Sequence, residues 1–231
     1  MSRRMTTAKH SQSNDKKKAK RIPLTKAGIL SASLKLADEQ GLEQLSMRKV
    51  AQSLGVEAMS LYNHIKNKDD LLDGILELVV SEFELPPIDQ SSWKKSLRQA
   101  AISAHQVLLK HPWAAHQMIS RVSVNPARLA WSNATIGCLH EAGFSYEITD
   151  HAWNAIDNHI YGFTLQSVNM PIDPEEFSDA AKHYLPMISE EQFPYLCAMA
   201  NKVAEGTHSG INEFEFGLNL ILDGLERLLE D

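Results

Sequence analysis

Two cysteines in 231 residues leave little room for sulfur chemistry. Cys138 and Cys197 lie far apart, without the spacing of a zinc site. Two free thiols suit a reducing cytoplasm, which is the expected location. No apolar run approaches the roughly 20 residues that a bilayer-spanning helix needs, so no membrane partner is expected. The N-terminus is basic but no apolar stretch follows it, so no secretory signal is expected. Strand-like alternation of any length is missing, and so is an internal repeat. There is no Walker loop, no G-x-G-x-x-G and no H-E-x-x-H. The stretch Gly-Thr-His-Ser-Gly at 206–210 sets its serine one place too late for a nucleophile elbow. These absences argue against an enzyme and imply no cofactor.

What is present is helical and unevenly charged. A hydrophobic fraction of 43% and a charged fraction of 23% belong to a globular protein with a sizeable core. The net charge of −6 hides an asymmetry. Through Lys68 the chain holds 14 Lys/Arg against five Asp/Glu; after it, nine against 24. A basic head on an acidic body fits a protein that presents one end to a polyanion. Residues 1–21, with Lys16, Lys17, Lys18, Lys20 and Arg21, read as a disordered basic tail. It either adds salt-dependent phosphate affinity or is simply solvated.

Residues 45–73, LSMRKVAQSLGVEAMSLYNHIKNKDDLLD, read as two short helices around a glycine turn, followed by the start of a long helix. Val50 and Leu54 share a helix face with the small Ala51. Gly55 can take positive φ and end the first helix. Val56, Leu61 and Ile65 then turn inward, leaving Ala58, Met59, Ser60, Tyr62, Asn63 and His64 outward. That is helix-turn-helix logic: one helix braces and the next enters a major groove by its N-terminus. Arg48, Lys49, Lys66 and Lys68 flank the unit where phosphates would lie. Before it, Thr25 caps a first helix with Ile29, Ser33, Leu36 and Ala37 inward. After it, Asn67 caps a helix with a wide apolar stripe from Leu71 to Phe83, which Pro86 and Pro87 are expected to stop.

Residues 24–83 resemble the DNA-binding domain of the tetracycline-repressor (TetR) family, through LTKAGILSASLKLADEQGLEQLSMRKVA and LYNHIKNKDDLL. The resemblance implies an all-α fold: a helix-turn-helix domain at 22–84 and a helical ligand-binding and dimerisation domain at 88–231. It implies a ligand-responsive transcriptional regulator, most often a repressor, that binds double-stranded operator DNA. Among the carried-over DNA contacts, Arg48 matches a base-reading arginine, able to grip a guanine bidentately. Met47 stands beside it where the tetracycline repressor has a hydroxyl. Ala58, Met59 and Ser60 open the recognition helix; Tyr62, Asn63 and His64 follow; Lys68 matches a phosphate-binding lysine. Tyr62 and His64 are also compatible with purely structural roles.

After Pro87 the pattern stays helical. Leu97, Ala101, Ala104 and Leu108 mark one helix, and a short one follows Pro112. Asn125 and Pro126 start another. Ser145 or Thr149 starts the next, Pro171, Pro174 and Pro186 punctuate a loop, and helices are expected at 190–205 and 213–229. LLKHPWAA, LHEAGFS and EFEFGLNLILDGLE resemble the C-terminal domain of the tetracycline-repressor branch. The resemblance implies a homodimer through the helices at 149–169 and 213–229; an apolar stripe with Leu222 would equally suit a monomer core. Positions aligned with that repressor's drug contacts hold Ala100, Ala104 and Met118, so no magnesium-chelated drug and no metal site are expected. His116 is the nearest alternative metal ligand. An apolar or aromatic effector is expected, lined by Ile102, His105, Trp113, His116, Met118, Trp131, Trp153, Asp157 and Tyr161. The same residues could instead be ordinary core. A constitutive DNA binder without ligand and an enzyme with a fused helix-turn-helix remain as alternatives.

Overall fold

The computed structural model describes residues 23–122 and 124–230. The basic tail expected at 1–21 lies outside them. Among the described residues there are eleven α-helices and no strands. The head holds α1 (Lys26–Gln40), α2 (Met47–Leu54), α3 (Ala58–Leu61) and α4 (Lys68–Ser81). Thr25, Ser46 and Asn67 cap α1, α2 and α4, their side chains accepting from the backbone N–H of Gly28, Lys49 and Asp70. Asp69 and Asp70 sit in the first turn of α4, where the helix dipole favours negative charge. α2 ends at Gly55 in the left-handed region (φ 65°), with Val56 N–H donating to Ala51 O at 3.0 Å. α1 crosses α4 closely at Gly74, where a Cβ would meet Leu30 Cδ2 at 2.5 Å.

The body holds α5 (Trp93–Lys110), α6 (Pro112–Ser120), α7 (Pro126–Glu141), α8 (Tyr146–Val168), α9 (Phe177–Tyr184), α10 (Pro194–Ala204) and α11 (Phe214–Glu230). α5 is its axis. Ala100, Ala101 and Ala104 are buried there, small enough to let neighbouring helices approach. α4 belongs to both halves. Leu71, Leu72 and Ile75 lie in the head's core, whereas Leu76, Val79, Val80 and Phe83 lie in the body's core. Both cysteines are buried, and burial pushes the Cys138 thiol up to about 11, leaving it protonated.

Several helix limits differ from the sequence pattern. α4 stops at Ser81, short of the prolines expected to end it. Glu82 and Phe83 fold back in tight turns to the carbonyls of Val79 and Val80, and Phe83 meets Trp131 edge-on at 5.2 Å. Burial of that aromatic ends the helix before proline can. The expected loop of Pro171 to Pro186 contains α9, and α10 begins at Pro194 rather than near Glu190. Pro194 occupies the first turn of α10, where a missing N–H does no harm. The largest difference is in α11. Leu218 and Leu222 are fully buried in the body's core, while Phe216 and Leu220 are 66% and 61% exposed. Leu222 is therefore a core residue, and a second apolar face of α11 points outward.

Candidate nucleic-acid interface and ligand region

The head's recognition segment is shorter as a helix than its pattern suggests. α3 covers Ala58–Leu61 alone, and residues 62–64 continue as a turn, with His64 and Ile65 N–H both donating to Leu61 O at 2.9 Å. Leu61 and Ile65 are fully buried and pin this segment to the head's core. Met59 is 75% exposed and Tyr62 47%, and Asn63, His64, Arg48 and Lys68 are exposed as well. Met47 and Ala58 instead pack partly against the head's core, and Ser60 is half-buried. The expected DNA contacts thus divide into an exposed set and a set turned inward by packing. Lys49 is drawn sideways, its Nζ donating to Gln44 Oε1 at 2.7 Å.

The nine candidate lining residues do not converge on one place. Trp131 on α7 and Trp153, Asp157 and Tyr161 on α8 meet where α7 packs on α8. Tyr161 Oη donates weakly to Asp157 Oδ2 at 3.5 Å. Trp131 and Trp153 also turn their indole N–H groups toward the carboxylate, near enough to favour its charged form though outside strict hydrogen-bond geometry. Burial pushes Asp157 up to about 6, against the indoles, Tyr161 and the Arg128 guanidinium, which favour its charged form. Burial raises the Tyr161 hydroxyl too. Thr135 Oγ1 and Thr149 Oγ1 are further buried and unpartnered atoms on these two helices.

Ile102 and His105 lie elsewhere, at an open pocket with Gln106 and Phe214. His105 stacks on Phe214 at 4.2 Å, and Thr164 Oγ1 accepts from its Nδ1–H at 2.8 Å. Burial and the neighbouring His159 hold His105 below the usual histidine range. His116 is exposed and one turn from Ser120, while Met118 is buried. Among the described residues, no three His, Cys, Asp or Glu side chains gather as metal ligands do. Helical geometry explains the dispersal: α5, α6, α7 and α8 each turn successive aromatic or polar residues to different neighbours.

Trp113 serves the junction of head and body. Asp38 Oδ1 on α1 accepts from Trp113 Nε1–H at 2.8 Å and lies 2.8 Å from His111 Nδ1. His111 is buried, and its Nε2 lies 3.6 Å from Glu82 Oε1 at the end of α4. At the other end of α6, the Arg121 guanidinium donates to Asp69 and Asp73 on α4, each at 3.1 Å. Arg128 on α7 donates to Met118 O at 3.1 Å and Arg121 O at 3.2 Å. Asp38, His111, Arg121 and Arg128 were not among the candidates from sequence. Their one available signal was that α6 itself has no Lys, Arg, Asp or Glu, which leaves Arg121 as an isolated charge after it.

Residues 29–75 match the family of bacterial regulatory proteins, tetR family, and residues 85–229 match the tetracyclin repressor-like C-terminal domain. The tetracycline repressor protein class E of Escherichia coli is 31% identical over 84% of this chain and 90% of its own length. An HTH-type transcriptional regulator of Saccharopolyspora erythraea is 39% identical, over 60% of this chain and 59% of its own length. A crystal structure of the TetR family protein ActR from Streptomyces coelicolor, in complex with actinorhodin, superposes with a TM-score of 0.77. It is 28% identical and covers 91% of this chain and 100% of that one. The chain therefore belongs to the tetR family of bacterial regulatory proteins and is one of its transcriptional regulators.

Proposed function

We propose that the protein is a homodimeric repressor that holds operator DNA through the exposed face of α2, α3 and the turn after it, and that a small molecule bound in the body releases it. The observation that carries the reading is the double membership of α4. Its first half is core to the DNA-binding head, and its second half is core to the body. A ligand that prefers a different packing of the body must then move the head, because α4 cannot satisfy one core without the other. α6 adds two polar ties to the same junction, Asp38 with His111 and Trp113 at one end, Arg121 with Asp69 and Asp73 at the other.

The outward apolar face of α11 supports a dimer, and a two-fold protein suits two half-sites in successive major grooves. Ligand binding that shifts the spacing of the two recognition segments weakens DNA binding by the same factor that DNA weakens ligand binding. ActR, whose structure contains actinorhodin, supports an aromatic organic effector for this chain. Tetracycline with magnesium is the second reading, supported by the class E repressor; Met118 and Ala104 offer no oxygen or nitrogen to such a drug.

The test is selection of bound sequences from random duplex DNA, followed by release with aromatic compounds and with tetracycline, each with and without chelator. A palindromic site released by chelator-insensitive aromatics is the expected result. Release by tetracycline alone, abolished by chelator, would replace the aromatic effector with the metal-bound drug. A site that no compound releases would leave a constitutive DNA binder.

A further inference from the structure

We propose that His111 is a positioning residue that sets the head on the body by means of its proton, and so makes operator affinity fall as pH rises. The inference rests on the DNA-binding reading above and adds to it a control by protons. The backbone of His111 is fixed at the corner of α5 and α6: its N–H donates to Val107 O at 3.1 Å, and its carbonyl accepts from Ala114 N–H at 2.8 Å. Its ring is buried between two carboxylates. Nδ1 lies 2.8 Å from Asp38 Oδ1 in the last turn of α1, and Nε2 lies 3.6 Å from Glu82 Oε1 where α4 ends. One ring thus joins the body to the head's first helix and to the helix that both halves share. Among the described residues, these two are the charged side chains that pair with the ring. Lys110, next in the chain, is exposed, and Lys35 on α1 pairs with Glu39 at 3.8 Å. Arg121 holds Asp69 and Asp73 at the far end of α6, and His116 on α6 is exposed. On α8, which packs on α6, Asp157 lies with Trp131 and Tyr161 instead.

The proton count decides how many of these elements the ring can hold. A neutral imidazole has one N–H and one lone pair; an imidazolium has two N–H groups. When neutral, the ring donates to Asp38 and turns the lone pair of Nε2 toward the Glu82 carboxylate. Two acceptors then face each other, and the Glu82 side chain, 42% exposed, is free to turn to water. When charged, the ring donates to Asp38 and attracts Glu82 as well. The carbonyl ends of α1 and α5 favour the charge, and the amino end of α6 opposes it. Asp38 keeps the Trp113 indole N–H in both states, so the proton governs above all the link to the end of α4. Heads held at a fixed spacing lose less freedom on meeting two half-sites than heads that swing. The protonated junction therefore binds operator more tightly.

The test is titration of a duplex selected from random DNA with the full chain, at about pH 6 and about pH 8, for the parent, His111→Gln and Glu82→Gln. At the lower pH each variant should bind at least about 3-fold more weakly than the parent, and at the higher pH that difference should vanish. The ratio of parent to variant cancels the contribution of His64, which stands on the exposed face of the recognition segment in all three. Circular dichroism checks folding, and the partly exposed Glu82 carries the test if His111→Gln does not fold. Variants as tight as the parent at the lower pH would overturn the proposal. So would a loss of the same size at both pH values, which is what a merely structural contact gives. If no duplex is selected, the operator reading falls and thermal melts of the same three proteins decide the tie. The parent should then be more stable than each variant at the lower pH and not at the higher; an advantage equal at both would overturn it.

Discussion

Arg48 stands exposed at the second position of α2, and Lys68 stands exposed at the first position of α4. Their expected roles differ, so their loss should be read differently. Arg48→Ala should lower specific operator affinity by about 1–3 kcal/mol and relax preference at one base position per half-site. Lys68→Ala should weaken binding to all sequences and lower the salt slope by about one. Titrations on specific and random duplexes at several salt concentrations separate the two; equal losses on both duplexes for Arg48→Ala would remove it from base reading. Asp157 makes a prediction about pH. Its folded-state pKa is pushed above the ordinary value of 3.8 to about 6, so the folded protein takes up its proton before the unfolded chain does. The destabilising effect is absent below about pH 4, grows between there and about pH 6, and is full above that. Asp157→Asn should therefore stabilise the protein at neutral pH, by on the order of 1–3 kcal/mol, and lose this advantage under acid conditions. Thermal melts across that range would decide; an advantage equal at all pH values would mean that folding does not shift the pKa of this carboxyl.

At the scale of elements, α4 and α6 carry the contact between head and body. Asp38→Ala leaves the Trp113 indole and His111 without their shared acceptor, which should cost about 1–3 kcal/mol. Arg121→Ala removes both links to α4, and its partly exposed pairs contribute less. Calorimetry should show one melting transition for the parent and two for the double variant; one cooperative transition in the variant would mean that the α4 core alone couples the halves. These ties were illegible in the sequence, because Asp38 and His111 are 73 residues apart and only tertiary packing joins them. Capped and periodic elements were legible: Thr25, Asn67 and Asn125 cap helices through their own oxygens, and of Ser145 and Thr149 it is Ser145 that caps α8. The periodicity of α11 was legible as well, but not which of its two apolar faces lies inside. Leu222 and Leu220 carry the same chemistry, and only the fold distinguishes them. In the lining set, composition suggested nine residues, and packing brings four of them together at the α7–α8 seam.

For the whole molecule, the outward face of α11 gives a test of assembly. Phe216→Glu or Leu220→Glu should yield a folded monomer by sedimentation and lose operator affinity, since only one half-site is engaged at a time. Leu222→Glu should instead abolish folding, because it buries an unpaired charge in the protomer core. A dimer that survives the first two changes would place the interface elsewhere, for which the exposed Tyr195, Leu196 and Met199 of α10 are the next candidates. The excess of Lys/Arg over Asp/Glu through Lys68 also makes DNA binding depend on ionic strength through that part of the chain. The shared helix has a consequence for protein engineering. The obvious joint for transplanting this head onto another regulator is the pair Pro86 and Pro87, yet a graft cut there carries Leu76, Val79, Val80 and Phe83 into a body shaped for other side chains. A working hybrid has to change parentage within one helix: up to Ile75 the residues should follow the donor of the head, and at Leu76, Val79, Val80 and Phe83 they should follow the recipient.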